Sequence, residues 1–192
     1  MESFAENSFL IIGGASLKEL LSTSELDRGV AELARQISER YGQRPLTIIG
    51  ILTGSIVLLA DLIRLLEMPL RVGVVQASSY RGNTTRGELT INADLMPDIR
   101  GRDVLLIDDI FDTGHTLATV TELIRQHGAE SVCSAVLLRK HGRQEIAWTP
   151  DFVGFDIPDK FVVGYGLDYQ DAYRNLSYIA ALDPEDLVES PA

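Results

Sequence analysis

Apolar and polar positions fall into blocks along this chain, and the period within each block predicts an element. From Ser24, with Glu25 in the first turn, Leu26, Val30, Leu33, Ala34 and Ile37 recur at helical spacing. Tyr41-Gly42 ends that helix and Pro45 breaks the chain. Leu46 to Leu52 is a continuous apolar run with β-branched members, the mark of a strand covered on both faces. The turn Thr53-Gly54-Ser55 leads into a helix from Ile56 to Leu66, closed by Pro69, and Leu70 to Ala77 predicts a second strand. Ser78 to Gly87 is polar, rich in Gly, Asn and Thr, and has no apolar period. It reads either as a flexible loop or as the tip of a hairpin whose return strand is Glu88 to Ile91.

The pattern then repeats. Gly101-Arg102-Asp103 is a turn before the strand Val104 to Ile107. A helix follows from His115 to Gln126, stopped by Gly128, and Ser131 to Leu138 is another strand. Pro150 to Phe155 and Phe161 to Tyr165 are short β-type segments. From Asp168 the chain has weak helical character, and both Met1 to Leu10 and Glu185 to Ala192 read as loosely ordered. Strand, helix, strand occurring twice predicts an α/β fold: a mostly parallel sheet flanked by helices.

Composition narrows this picture. The 192 residues suit one domain, with 45% apolar content for its core. A net charge of −11 argues against a nucleic-acid surface. An acidic chain that binds a polyanion does so locally, through backbone N–H groups, a metal ion and a few placed cations. Cys133 is the only cysteine and sits in the apolar run Val132 to Leu138, so it reads as a buried small residue and suits a reducing compartment. Met1 to Phe9 is short and acidic, unlike a secretory leader, and no apolar run approaches the ~20 residues of a membrane span. A cytoplasmic protein without a membrane partner is the expectation.

The candidate chemistry lies between Val104 and Val120, VLLIDDIFDTGHTLATV. An apolar strand rises into Asp108 and Asp109, and then Asp112-Thr113-Gly114-His115-Thr116 turns into a helix. Unpaired N–H groups and the dipole at that helix start favour a phosphate, Thr113 and Thr116 add hydroxyl donors, and Gly114 lets the backbone approach an anion. Carboxylates beside a phosphate cradle repel the ligand unless Mg²⁺ or sugar hydroxyls intervene. The set therefore points to a phosphorylated sugar or nucleotide, with magnesium. The plainer alternative is an acidic turn in which Asp112 or Thr113 caps the helix and Asp108 and Asp109 are merely solvated. Neither a P-loop nor a dinucleotide-binding glycine motif is present.

An apolar strand, two acidic residues and D-T-G-x-T resemble the phosphoribosyl-pyrophosphate signature of type I phosphoribosyltransferases. Val136 to Lys140, Pro150 to Phe155 and Ile157 to Tyr169 (IPDKFVVGYGLDY) are similar to the branch of that family acting on hypoxanthine and guanine. The resemblance spans about Leu46 to Arg174. It implies a single domain over 1–192, with a core of about 24–145 and a small hood from about 1–20 and 150–182. It further implies transfer of the 5-phosphoribosyl group from phosphoribosyl pyrophosphate to N9 of hypoxanthine or guanine, giving IMP or GMP and pyrophosphate in purine salvage.

The resemblance assigns roles residue by residue. Asp112 would handle the purine N7 proton, and Asp112, Thr113, Gly114, His115, Thr116 and Leu117 would hold the 5′-phosphate. Asp108 and Asp109 would hold the ribose hydroxyls directly or through Mg²⁺. Asp108 stands where many relatives have Glu, which keeps the charge and shortens the reach. Asp168 would be a second magnesium anchor beside the base. Leu52, Thr53, Gly54 and Arg174 would meet pyrophosphate; Thr53 replaces a lysine common among relatives, and the Leu52–Thr53 peptide is cis in some of them. Lys140 would donate to the purine O6, Phe161 would stack on the base, and the Val162 backbone would read its edge. Ser79 and Tyr80 would sit on a mobile flap. A homo-oligomer, dimer or tetramer, is also implied. Two alternatives stay open: a regulator of the same fold that senses phosphoribosyl pyrophosphate, and a xanthine-preferring enzyme.

Overall fold

Two parallel strands, buried on both faces, form the axis of the molecule. A computed structural model describes residues 9–12, 15–79, 89–183 and 185. In it β3 (Leu46–Leu52) and β6 (Asp103–Phe111) run side by side, with Thr47 opposite Val104 and Gly50 opposite Ile107. Ile48, Ile49, Leu105 and Leu106 have no exposed surface. A strand whose two faces are both covered has no polar positions to alternate with, so its sequence is a run.

Around this pair the six-stranded sheet has the order β5-β4-β3-β6-β7-β8. β4 (Leu70–Ser79), β7 (Ser131–Lys140) and β8 (Phe152–Ile157) extend the parallel set, and β5 (Leu89–Asn92) pairs antiparallel at one edge. The pairing of Ser79 with Leu89 decides the earlier alternative in favour of a hairpin, whose tip lies outside the described residues. From β3 the chain moves outward through α2 (Ile56–Ile63) to β4. From β6 it moves the opposite way through α3 (His115–Gln126) to β7. The carboxyl ends of β3 and β6 therefore flank a topological switch point, where open α/β sheets form a crevice.

Helices cover both faces. α1 (Thr23–Tyr41) and α2 bury Leu26, Val30, Leu33 and Leu58 in one core, and α3 buries Leu117, Val120 and Ile124 in the other. α1 starts one residue earlier than its apolar period suggests, because Ser22 and Glu25 form a reciprocal cap. α2 stops at Ile63, short of the expected Leu66.

The terminal segments differ more from expectation. β1 (Phe9–Ile12), β2 (Ala15–Leu21), β9 (Val162–Val163) and β10 (Ile179–Leu182) form a separate sheet in the order β1-β2-β10-β9. Among the described residues, the stretch from Tyr169 to Leu182 is thus not helical: it runs through turns at 169–178 into the strand Ile179–Leu182. Its backbone bonds go to β2 and β9, partners far away in the chain that no local period reveals. Phe152–Ile157, assigned above to the hood, instead pairs with β7 in the main sheet. The small sheet is tied to α2 by the Tyr165 hydroxyl, which donates to Asp61 Oδ2 at 2.6 Å. Replacing that phenol in Tyr165→Phe is expected to lower stability by on the order of 1 kcal/mol. A lower urea midpoint with an unchanged slope checks this.

Candidate active site

The carboxyl end of β6 carries its acidic residues within the strand. Pairing to β7 continues through Phe111, so Asp108 and Asp109 lie inside the strand and are not the merely solvated pair of the plainer alternative. Asp108 is buried, with 8% of its surface exposed. Its Oδ1 accepts the Asp109 N–H at 3.0 Å, and Asp109 Oδ1 accepts the Ile110 N–H at 2.8 Å. Burial lifts the Asp108 carboxyl well above the usual carboxylate range, and the charge of Asp109 adds to it. Burial raises Asp109 too, opposed by hydrogen bonds from its neighbours and by the nearby Arg174 guanidinium.

The turn after β3 closes over this pair. The Leu52–Thr53 peptide is cis, as in some members of the resembled family. A β-carbon on Gly54 would lie 1.6 Å from Asp109 Oδ2, so only glycine fits there. On its other side, a β-carbon on Gly166 would meet the Gly54 carbonyl at 2.1 Å. Gly54 thus packs against the Asp109 carboxylate and Gly166 against the Gly54 carbonyl, which brings the 164–174 segment against the β3 turn. There Arg174 donates to the Gly166 carbonyl at 2.9 Å and pairs with Asp168 Oδ1 at 2.8 Å. Asp168 Oδ2 also accepts the Asp171 N–H.

Beyond β6, the turn enters α3 at Gly114, the residue before the helix, whose φ of 93° suits glycine. No side chain caps this helix, so Asp112 and Thr113 do not play the capping role that the plainer reading gave them. Helical bonding begins with Ala118 N–H to the Gly114 carbonyl, and the N–H groups ahead of it have no partner within the helix. Asp112 is held from both sides: Lys140 Nζ lies 3.4 Å from its Oδ2, and Arg143 Nε donates to Oδ1 at 2.9 Å. Asp159 approaches the same two cations, at 3.6 Å and 3.7 Å.

A cavity of about 350 Å³ joins these parts. Leu52, Thr53 and Gly54 line it from β3, Asp108, Asp109 and Asp112 from β6, Thr113, Gly114, Thr116 and Leu117 from the turn, and Asp168 and Arg174 from the far wall. Lys140 reaches the site through Asp112. His115 turns away, its ring nitrogen 3.0 Å from the Glu145 carboxylate. Phe161 is 39% exposed and meets Tyr169 edge-on, and Val162 lies in β9. Ser79 ends β4, and Tyr80 lies outside the described residues. Among the described residues no group of three or more His, Cys, Asp or Glu is arranged to hold a metal. Arg143 and Asp159 were missed. The only available signals were a second cation three residues past Lys140 and the acid of IPDK, neither of which reveals a shared partner.

Residues 16–170 match the family model for the phosphoribosyl transferase domain. The chain belongs to the phosphoribosyl transferase family. This phosphoribosyltransferase is 43% identical over 167 residues to the hypoxanthine-guanine phosphoribosyltransferase of Staphylococcus epidermidis, covering 86% of this chain and 93% of that one. It is 41% identical over 169 residues to the bifunctional protein TilS/HprT of Listeria innocua, covering 88% of this chain but 26% of that longer protein. The crystal structure of a hypoxanthine phosphoribosyltransferase from Staphylococcus aureus superposes with a TM-score of 0.83 at 40% identity, covering 89% and 94% of the two chains. The mostly parallel sheet with flanking helices is the type I phosphoribosyltransferase fold.

Buried Asp108 sets a pH dependence. With its carboxyl raised, folded Asp108 keeps a proton that an unfolded chain has lost. Stability therefore falls as pH rises from about 4 through the folded value. Asp108→Asn removes that penalty, so in chelator-containing buffer the variant is expected to melt above the parent at neutral pH. The gap should close as pH falls toward about 4. Melting temperatures across pH check this, and a variant melting below the parent at neutral pH would contradict it.

Proposed function

We propose that this enzyme transfers the 5-phosphoribosyl group from phosphoribosyl pyrophosphate to N9 of hypoxanthine or guanine, releasing IMP or GMP and pyrophosphate in purine salvage. The observation that carries the reading is one cavity combining an open helix start, the adjacent carboxylates Asp108 (buried) and Asp109 (half-buried), and an aspartate paired with a lysine. In this reading Thr113 to Leu117 bind the 5′-phosphate with backbone N–H groups and hydroxyls. The Leu52-Thr53-Gly54 turn and Arg174 take the pyrophosphate, a planar guanidinium suiting that anion. Arg174 must give up part of its bond to Asp168 to do so.

Asp112 and Lys140 are each other's partner in the absence of a base. A 6-oxopurine offers both a replacement: its N7–H faces Asp112 and its O6 faces Lys140. Adenine presents a donor to Lys140 instead, and an unpaired buried donor costs about 1–3 kcal/mol. Phe161 stacks on the purine, and the Val162 backbone reads its edge. As N9 bonds to the ribose carbon, the bond to pyrophosphate breaks with its electron pair, and Asp112 takes the N7 proton.

Asp108 and Asp109 suit a divalent cation, because burial leaves them short of compensating charge. Mg²⁺ often uses one or two carboxylates and takes its remaining ligands from substrate oxygens and water. Asp168 reaches it only by yielding Arg174 or through water. When bound, magnesium neutralises charge on the departing pyrophosphate. A cytoplasmic setting suits the single, buried Cys133, and no helix among the described residues is long and apolar enough to cross a membrane. A homo-oligomer, dimer or tetramer, belongs to the same proposal.

The test is nucleotide formation from phosphoribosyl pyrophosphate with hypoxanthine, guanine, xanthine and adenine in parallel, with and without Mg²⁺. Product from hypoxanthine or guanine, little from adenine and loss without Mg²⁺ are expected. Asp112→Ala should lower kcat by roughly a hundredfold or more with its melting temperature preserved. Near-parental turnover in that variant would sink the assignment.

A further inference from the structure

One short segment, between β7 and β8, touches every residue of the turn that leads from β6 into α3. The Trp148 ring lies 5.9 Å from that of Phe111, tilted by 57°. Arg143 Nε donates to Asp112 at 2.9 Å. The Glu145 N–H donates to the Thr113 carbonyl at 3.1 Å, and its carboxylate meets the His115 ring at 3.0 Å. A β-carbon on Gly114 would come within 2.8 Å of the Ile146 side chain, so that side chain fills the space behind the turn. The same segment starts just past Lys140, whose carbonyl accepts the Gln144 side chain.

These contacts have a common direction. The turn carries no capping side chain of its own, and its glycine gives it wide backbone freedom. A phosphate cradle built from N–H groups binds well only if those groups are already aligned, because ordering them on binding costs affinity. None of the segment's side chains lines the cavity. Glu145 and Ile146 meet the turn away from the cavity, through its carbonyl, its glycine and the His115 ring, while Arg143 reaches the Asp112 carboxylate itself.

We infer that Arg143 to Trp148 is a strap that pre-forms the phosphate turn and orients Asp112, with Arg143, Glu145 and Ile146 as positioning residues. The inference rests on the phosphoribosyl reading of the site. The strap's parts act on different quantities. Glu145 and Ile146 hold the backbone that meets the phosphate, so they govern phosphate affinity. Arg143 holds the carboxylate that moves the proton, so it governs turnover. Because the strap continues directly from Lys140, it also fixes the spacing between the purine and phosphate ends of the cavity.

Ribose 5-phosphate is the probe, since its binding needs the turn but no catalysis. Calorimetry should give a dissociation constant raised roughly two- to fivefold in Glu145→Ala, the range of an exposed ion pair. A larger rise is expected in Ile146→Ala, which opens space behind Gly114. In steady-state assays both variants should raise KM for phosphoribosyl pyrophosphate by similar factors and leave KM for hypoxanthine unchanged. Arg143→Gln should lower kcat and leave ribose 5-phosphate affinity intact. A segment that merely stabilises the fold would lower melting temperatures without this split. Unchanged ribose 5-phosphate affinity in both Glu145→Ala and Ile146→Ala, or equal changes in the two KM values, overturns the strap. So does a parent protein that fails to bind ribose 5-phosphate. A parent that binds it yet makes no nucleotide from any base overturns the functional reading alone, and the dissociation constants then decide the strap.

Discussion

Two adjacent carboxylates, Asp108 buried and Asp109 half-buried, are the constraint to which the site answers. Asp108 and Asp109 lie within a strand whose preceding residues are fully buried, so the backbone fixes both carboxylates at the cavity wall. Like charges in such a place repel, and burial disfavours both ionised forms. A fold tolerates this arrangement only if something else is gained, and in the proposed reading the gain is a cation bound there together with the polyanionic substrate. The nearby Arg174 and the hydrogen bonds from Asp109 and Ile110 offset part of the cost.

Positioning follows from close backbone contact. Gly54 has Asp109 on one side and Gly166 on the other, and neither gap admits a methyl group. Three segments distant in sequence thus share one point, and a shift in any of them moves the others. Packed interiors transmit such shifts because they have little free volume. The small sheet is held in the same way, through Gly166 and the Tyr165 bond to Asp61. The wall that carries Asp168 and Arg174 is consequently fixed against the β3 turn.

Asp112 illustrates how one carboxylate serves two states. With no base bound, its oxygens are occupied by Lys140 and Arg143. In the proposed reading a 6-oxopurine would replace Lys140's contact with its own N7–H while accepting from Lys140 at O6, so the number of satisfied groups would be conserved. The same proposal would trace selectivity against adenine to the unpaired donor that exchange would leave. Asp159 stands close enough to both cations to share their charge.

Much of this was legible in the linear chain. The runs Leu46–Leu52 and Val104–Ile107 and the helical spacing after Ser24 and His115 establish an α/β sheet, and the order Asp108, Asp109, Asp112, Thr113, Gly114, Thr116 marks a candidate anion turn at a strand end. They do so because periodicity and turn chemistry act over a few residues. The pairing of β10 with β2 and the strand character of the tail were not legible, since their hydrogen bonds close only across some 160 residues, as between Lys18 and Ala181. Nor was the interlock of Gly54 with Asp109 and Gly166, or the meeting of Arg143 and Asp159 at Asp112. Such contacts depend on where separate elements come to rest. The residue types and local turns of the site belong to the sequence alone; which of its charges face one another was decided by tertiary packing, because burial and distance, not order along the chain, set the energy of a charge.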